Sequence, residues 1–99
     1  MASIPAPADL NHHHRDTLRQ IFTHPISHNI EWPHVISLLE ALDAVEVRHD
    51  GKFVVKLGKE IEVFERPRDK DLDAEQVVDL RRMLRNAGYE PEALEAERT

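Results

Sequence analysis

Seven histidines are the residues of this chain best suited to chemistry at neutral pH, because an unperturbed imidazole titrates near 6.5 and also ligates zinc. Six of them (His12, His13, His14, His24, His28 and His34) fall between residues 12 and 34, and His49 stands alone. His24 and His28 have the i, i+4 spacing that would align them on a helix, but Pro25 breaks that helix and no carboxylate is fixed beside them. The His12–His14 run reads as a polar, flexible stretch, and the expectation is no metal site and no cofactor. Cysteine is absent, which removes disulfides, thiolate metal sites and cysteine nucleophiles together. Three glycines leave little from which to build a phosphate-cradling loop, and no Ser/His/Asp pattern is present.

The second group with chemical potential is cationic. Arg66, Arg68 and Lys70 leave the third predicted strand, and Arg81, Arg82 and Arg85 lie on the last predicted helix. Whole-chain charge opposes a generic polyanion reading: thirteen Lys and Arg stand against nineteen Asp and Glu, a net of −6. Half of that acidity sits in residues 90–99, which carry four Glu and one Arg, whereas residues 52–88 total +1. Acidity therefore does not exclude RNA, although it argues against indiscriminate binding. No apolar run is long enough to cross a membrane, and the first ten residues lack both a basic start and an apolar middle, so the expectation is a cytoplasmic protein with no membrane partner.

The elements that must position these residues fit one domain over 10–89, with a flexible arm at 1–9 and an acidic, flexible tail at 90–99. Leu18, Ile21 and Phe22 predict a first helix that starts between Leu10 and Asp16 and ends near Thr23. Pro33 suits the first turn of a second helix over 33–43, where Val35, Leu38, Leu39 and Leu42 recur at i, i+3, i+4 and i+7. The runs 44–49, 52–57 and 60–65 alternate with period two and predict an antiparallel meander. Asp73 with Gln76 predicts a capping box, and Val77, Leu80, Leu84 and Ala87 predict a helix over 74–87 that ends at Gly88. The fold class is α+β in the order α-α-β-β-β-α, with all three helices over one apolar sheet face.

Odd-length loops are expected in both hairpins, because they keep like residues on one face. The expected partners are Val47 with Val55, Val45 with Leu57, Glu46 with Lys56, Leu57 with Ile61, Val55 with Val63 and Lys56 with Glu62. Arg48, Val54 and Phe64 would then share the outer face as a protein-docking surface.

The element order, together with Phe22-Thr23-His24-Pro25, Asn29-Ile30-Glu31-Trp32, Ser37 to Leu42, Asp50-Gly51-Lys52, Glu65-Arg66-Pro67-Arg68 and Asp79 to Gly88, resembles the HicA toxin family. The likeness covers about three quarters of the chain and implies a double-stranded-RNA-binding-domain-like (dsRBD-like) fold. It further implies a metal-independent mRNA endoribonuclease held silent by a HicB antitoxin. The family's catalytic histidine follows a Gly-Ser pair at the start of the second strand, and that position here is Phe53 in Gly51-Lys52-Phe53. The family's second histidine-containing stretch, after the third strand, appears as Glu65-Arg66-Pro67-Arg68 without histidine. Phe53 can neither accept nor donate the proton that strand cleavage requires. The expectation is an RNA-binding or HicB-like-partner-binding module without efficient cleavage, with Lys52, Arg66, Arg68, Arg82 and Arg85 on phosphates. The competing expectations are a residual ribonuclease using His49 and a protein-only interaction module.

Overall fold

A computed structural model describes residues 10–90. The element order is α1 (His12–Ile21), α2 (Trp32–Ala41), β1 (Val45–Val47), β2 (Phe53–Leu57), β3 (Glu60–Phe64) and α3 (Ala74–Asn86). This is the α+β order that the sequence pattern predicts, with one antiparallel sheet ordered β1-β2-β3. The arm at 1–9 and all of the tail beyond Glu90 lie outside the described residues.

Local chemistry sets each helix boundary. Asn11 caps α1 by accepting from the His14 N–H at 2.8 Å, so the histidine run is the first turn of a helix, where a flexible stretch was expected. Asp73 and Gln76 form the reciprocal capping box on α3, and Gln76 Nε2 also donates to the Glu65 carbonyl, tying α3 to the end of β3. α2 begins at Trp32 with Pro33 in its first turn and ends at Ala41, before the expected 43.

α2 and α3 end in the same way. Ala44 N–H returns to the Leu39 carbonyl at 2.8 Å, and Tyr89 N–H to the Leu84 carbonyl at 2.9 Å, the 6→1 bond of a Schellman motif. The residue in the left-handed region is Gly88 (φ 90°) in one case and Asp43 (φ 54°) in the other. A Cβ is tolerated poorly there.

One core runs through the described residues. Phe53, Val55 and Leu57 point inward from β2 and meet Val35, Leu38 and Leu39 of α2 and Val77, Leu80, Met83 and Leu84 of α3. α1 packs on α2 and α3 through Leu18 and Ile21, which makes it a buttress for the other helices. Burial raises the pKa of the Tyr89 phenol at the core's edge.

Among the described residues, Arg81 is the one charged side chain inside. It is 8 % exposed, and its Nε and Nη2 donate at 3.0 Å to the carbonyls of Ile21 and Thr23, while Nη1 lies 3.2 Å from His24 Nε2. A guanidinium on α3 thus satisfies the carbonyl end of α1, where the helix dipole is negative.

The expected strand register is corrected in both hairpins. In the first, the odd loop stands but closes one residue earlier: Arg48 N–H bonds the Lys52 carbonyl around residues 49–51, giving Val45 with Val55, Glu46 with Val54 and Val47 with Phe53. That shift of two keeps every side chain on its expected face. In the second, the loop is the two residues Gly58 and Lys59, so Leu57 faces Glu60, Val55 faces Glu62 and Val54 faces Val63. Gly58 supplies the positive φ (61°) that a type II′ hairpin needs at its first central position. The change of parity turns Glu60 and Glu62 toward α3 and leaves Ile61 and Val63 on the outer face.

Two substitutions check these caps by urea denaturation. Arg81→Ala strands two carbonyls at the end of α1 and is expected to cost at least about 2 kcal/mol; a loss below about 0.5 kcal/mol would show that the guanidinium is dispensable. Asp43→Gly relieves a left-handed residue and is expected to raise stability by about 0.5–1 kcal/mol, whereas a loss would contradict this.

Candidate functional site

The chain from Glu65 to Leu72 leaves β3 and crosses the start of α2. It is held there by two backbone bonds, Trp32 N–H to the Lys70 carbonyl at 2.7 Å and Leu72 N–H to the Ile30 carbonyl at 2.9 Å, which form the bridge between Glu31 and Asp71. Beneath the crossing, Trp32 and Phe53 meet edge to face with ring centroids 5.1 Å apart. The result is an open groove of about 530 Å³. Its floor and walls are Trp32, Pro33, Ile36, Phe53 and Pro67, and Arg66, Arg68 and Lys70 edge it.

Charge is arranged unevenly around the groove. The Arg66 guanidinium lies 6.0 Å from the Phe53 ring centroid, a cation–π contact that holds it over the opening. Arg66 and Arg68 are both exposed and have no ion-pair partner among the described residues. Among the described residues the Lys70 ammonium makes only a long contact with Glu31, at 3.9 Å. Asp69 is the one carboxylate in the lining. The Trp32 Nε1–H is buried without an acceptor among the described residues.

The other expected phosphate contacts lie elsewhere. Arg82 is clasped by Glu60, Glu62 and Asp79, and its pKa is raised above the ordinary arginine value, chiefly by Glu62. Arg85 sits over the Phe22 ring at 5.7 Å and pairs with Glu90 at 3.5 Å. Lys52 pairs with Glu65 at 3.7 Å. The five cations expected to act together are therefore divided, and the groove keeps Arg66 and Arg68. Lys70, Trp32 and Ile36 join the groove although the sequence reading did not assign them to it. The proximity of residues 32–36 to 66–70 depends on the Glu31–Asp71 bridge, for which the sequence carries no local signal.

Phe64 does not belong to an outer docking surface. The flipped parity of β3 sets it opposite Phe53, and it is only 6 % exposed. Val54 does face outward, but its cross-strand neighbour is Val63. Arg48 leans on Asp50 at 3.4 Å in the hairpin loop.

His49 is exposed in the same loop and is not among the groove's lining residues. His14 Nε2 meets Ser37 Oγ at 3.0 Å, and His13 stacks edge-on against His34. Among the described residues, no three His, Asp or Glu come together in a way that would hold a metal ion. No helix among them is long and apolar enough to cross a membrane.

The groove's floor is testable through its only tryptophan. Trp32→Ala is expected to cost about 3–5 kcal/mol, because it empties a buried aromatic site. Trp32→Phe keeps the edge contact with Phe53 and removes the orphaned Nε1–H, so it is expected to cost less than about 1.5 kcal/mol. Equal losses from both in thermal or urea unfolding would contradict this account of the floor.

The chain matches no family model, no curated protein and no solved structure, so a functional reading rests on the residues of the groove themselves.

Proposed function

We propose that this chain is a small HicA-like RNA-binding module that seats single-stranded RNA in the groove between α2 and the Glu65–Leu72 segment, and does not cleave it efficiently. The observation that carries this reading is the pairing of an apolar, aromatic-floored groove with Arg66 and Arg68, two guanidinium groups with no ion-pair partner among the described residues, and with Lys70. Such a site divides the work as single-strand binders do. Cations track phosphates, and an apolar surface takes the face of a base. The α-α-β-β-β-α order agrees with the resemblance to HicA, in which the helices and one sheet share a single compact unit.

The chemistry of the site favours holding over cutting. Phe53, at the position matching the family's catalytic histidine, is buried against Trp32 and has no proton to exchange. His49 stands on the exposed hairpin loop, and no ion pair or hydrogen bond fixes its ring among the described residues. A general base must lie within hydrogen-bond reach of the proton it removes and be held there. His49 is not held, and it serves the reading of a residual ribonuclease poorly.

Titration of a short single-stranded RNA against Trp32 fluorescence tests the proposal. With three cations on phosphates, the slope of log affinity against log salt is expected near −2, since each contact on a single strand contributes about −0.7. The double variant Arg66→Ala/Arg68→Ala is expected to bring the slope to about −0.7, whereas Arg82→Ala leaves it unchanged. RNA recovered intact from wild type and His49→Ala alike is expected. Salt-insensitive binding, or loss of affinity through Arg82 instead of Arg66 and Arg68, would overturn it.

A further inference from the structure

We infer that β3 is a self-association edge, through which a second copy of this chain adds its own β3 antiparallel to make a continuous six-stranded sheet. β3 pairs only with β2, so among the described residues its far side is open along Ile61 and Val63, up to the Glu65 carbonyl that Gln76 Nε2 already meets at 3.0 Å. Lys56 N–H goes to the Ala44 carbonyl on the β1 side at 2.8 Å, and Ile61 sits opposite Lys56. By the alternation of an antiparallel ladder, Ile61 then turns its own N–H and C=O away from β2, and so does Val63 two residues on. These two residues also carry exposed β-branched side chains, 64 % and 50 % exposed, beside Val54 on the outer face. Open edges are usually protected by proline, a bulge, or a charge set in the middle of the strand. The charge in the middle of β3 is Glu62, whose carboxylate faces α3 and is held by Arg82, and the outward-facing Ile61 and Val63 on either side of it are apolar.

Charge selects both the occupant and the register. Edge-facing residues must meet edge-facing residues, so a two-fold axis has to lie at Ile61, Glu62 or Val63. An axis at Ile61 sets Glu60 against Glu62 twice, and an axis at Val63 sets Ile61 against Glu65. An axis at Glu62 sets Ile61 opposite Val63 of the other copy and Lys59 opposite Glu65, with both contacts repeated by symmetry. The outer row then reads Lys59, Ile61, Val63, Glu65 against its own reverse, with apolar pairs inside and opposite charges at both ends. Among the described residues Lys59 is exposed and has no ion-pair partner, and the Glu65 carboxylate makes only an exposed ion pair with Lys52 at 3.7 Å. The remaining like pair, Glu62 with Glu62, sits on the opposite face, where each carboxylate already has its own Arg82. A strand that is its own complement in the edge hydrogen bonds of Ile61 and Val63, in its apolar pairs and in its end charges points to a second copy as its occupant.

Sedimentation of the full chain over roughly a hundredfold range of concentration tests this, since dimerisation through one edge follows mass action. Wild type is expected to move from monomer toward dimer, and Ile61→Lys/Val63→Lys, folded by circular dichroism, to remain monomeric. Lys59→Glu or Glu65→Lys alone is expected to weaken association roughly three- to thirtyfold, because each sets like charges opposite one another twice. The combined Lys59→Glu/Glu65→Lys variant is expected to recover wild-type association. A monomer at every concentration overturns the inference and leaves the edge to a different partner. A dimer indifferent to the Ile61 and Val63 replacements, or not restored by the charge exchange, overturns it as well.

Discussion

Two backbone hydrogen bonds, Trp32 to Lys70 and Leu72 to Ile30, build the groove that is this protein's candidate site. Without them the segment after β3 would be an ordinary surface connection, and Arg66, Arg68 and Lys70 would be three solvated cations of little consequence. With them, that segment is pinned across the first turn of α2 and roofs the Trp32–Phe53 pair. A short bridge of this kind contributes only modest net stability, because protein–protein bonds replace protein–water ones. Its effect is on geometry: the α2 side of the apolar floor, Trp32 to Ile36, and the cationic rim come from residues thirty or more positions apart in sequence.

The same economy recurs at the opposite end of the molecule. Arg81 lies inside because its donors meet the carbonyls that α1 would otherwise leave unsatisfied, so one buried charge both caps a helix and fixes it to α3. Arg82, the next residue, does the reverse job outside, gathering Glu60 and Glu62 from β3. Many of the charges in this chain are thus sorted into pairs that hold elements together, leaving the rim of the groove (Arg66, Arg68, Lys70) and Lys59 at the start of the β3 edge with weak partners or none among the described residues.

Much of the fold is legible in the sequence because its signals are local. The Asp73–Gln76 box, Pro33 in a first turn, Gly88 after an apolar stripe and three period-two runs each depend on a few neighbouring residues, and each element appears. The face of β3 was not legible by alternation alone. Ile61, Val63 and Phe64 do not share one parity, and the two more numerous apolar residues suggest the wrong inner face. The turn at Gly58 and the carboxylates drawn to Arg82 settle it, and the latter is a contact twenty residues distant. For the same reason the site is only partly legible. Arg66 and Arg68 announce themselves by charge, whereas Arg82 looks equally available until its partners are seen. The histidine run, polar and without apolar periodicity, enters a helix because Asn11 caps it and Leu18 and Ile21 anchor the next turns.

The most direct measurement of whether the groove is the binding surface is residue-resolved: amide and indole shifts of the labelled protein as short single-stranded RNA is added. The account requires the changes to gather at the Trp32 indole, Phe53 and Arg66 to Lys70, with the outer face of α3 silent. Changes centred on Arg82 and Arg85, or none at any residue, would contradict it.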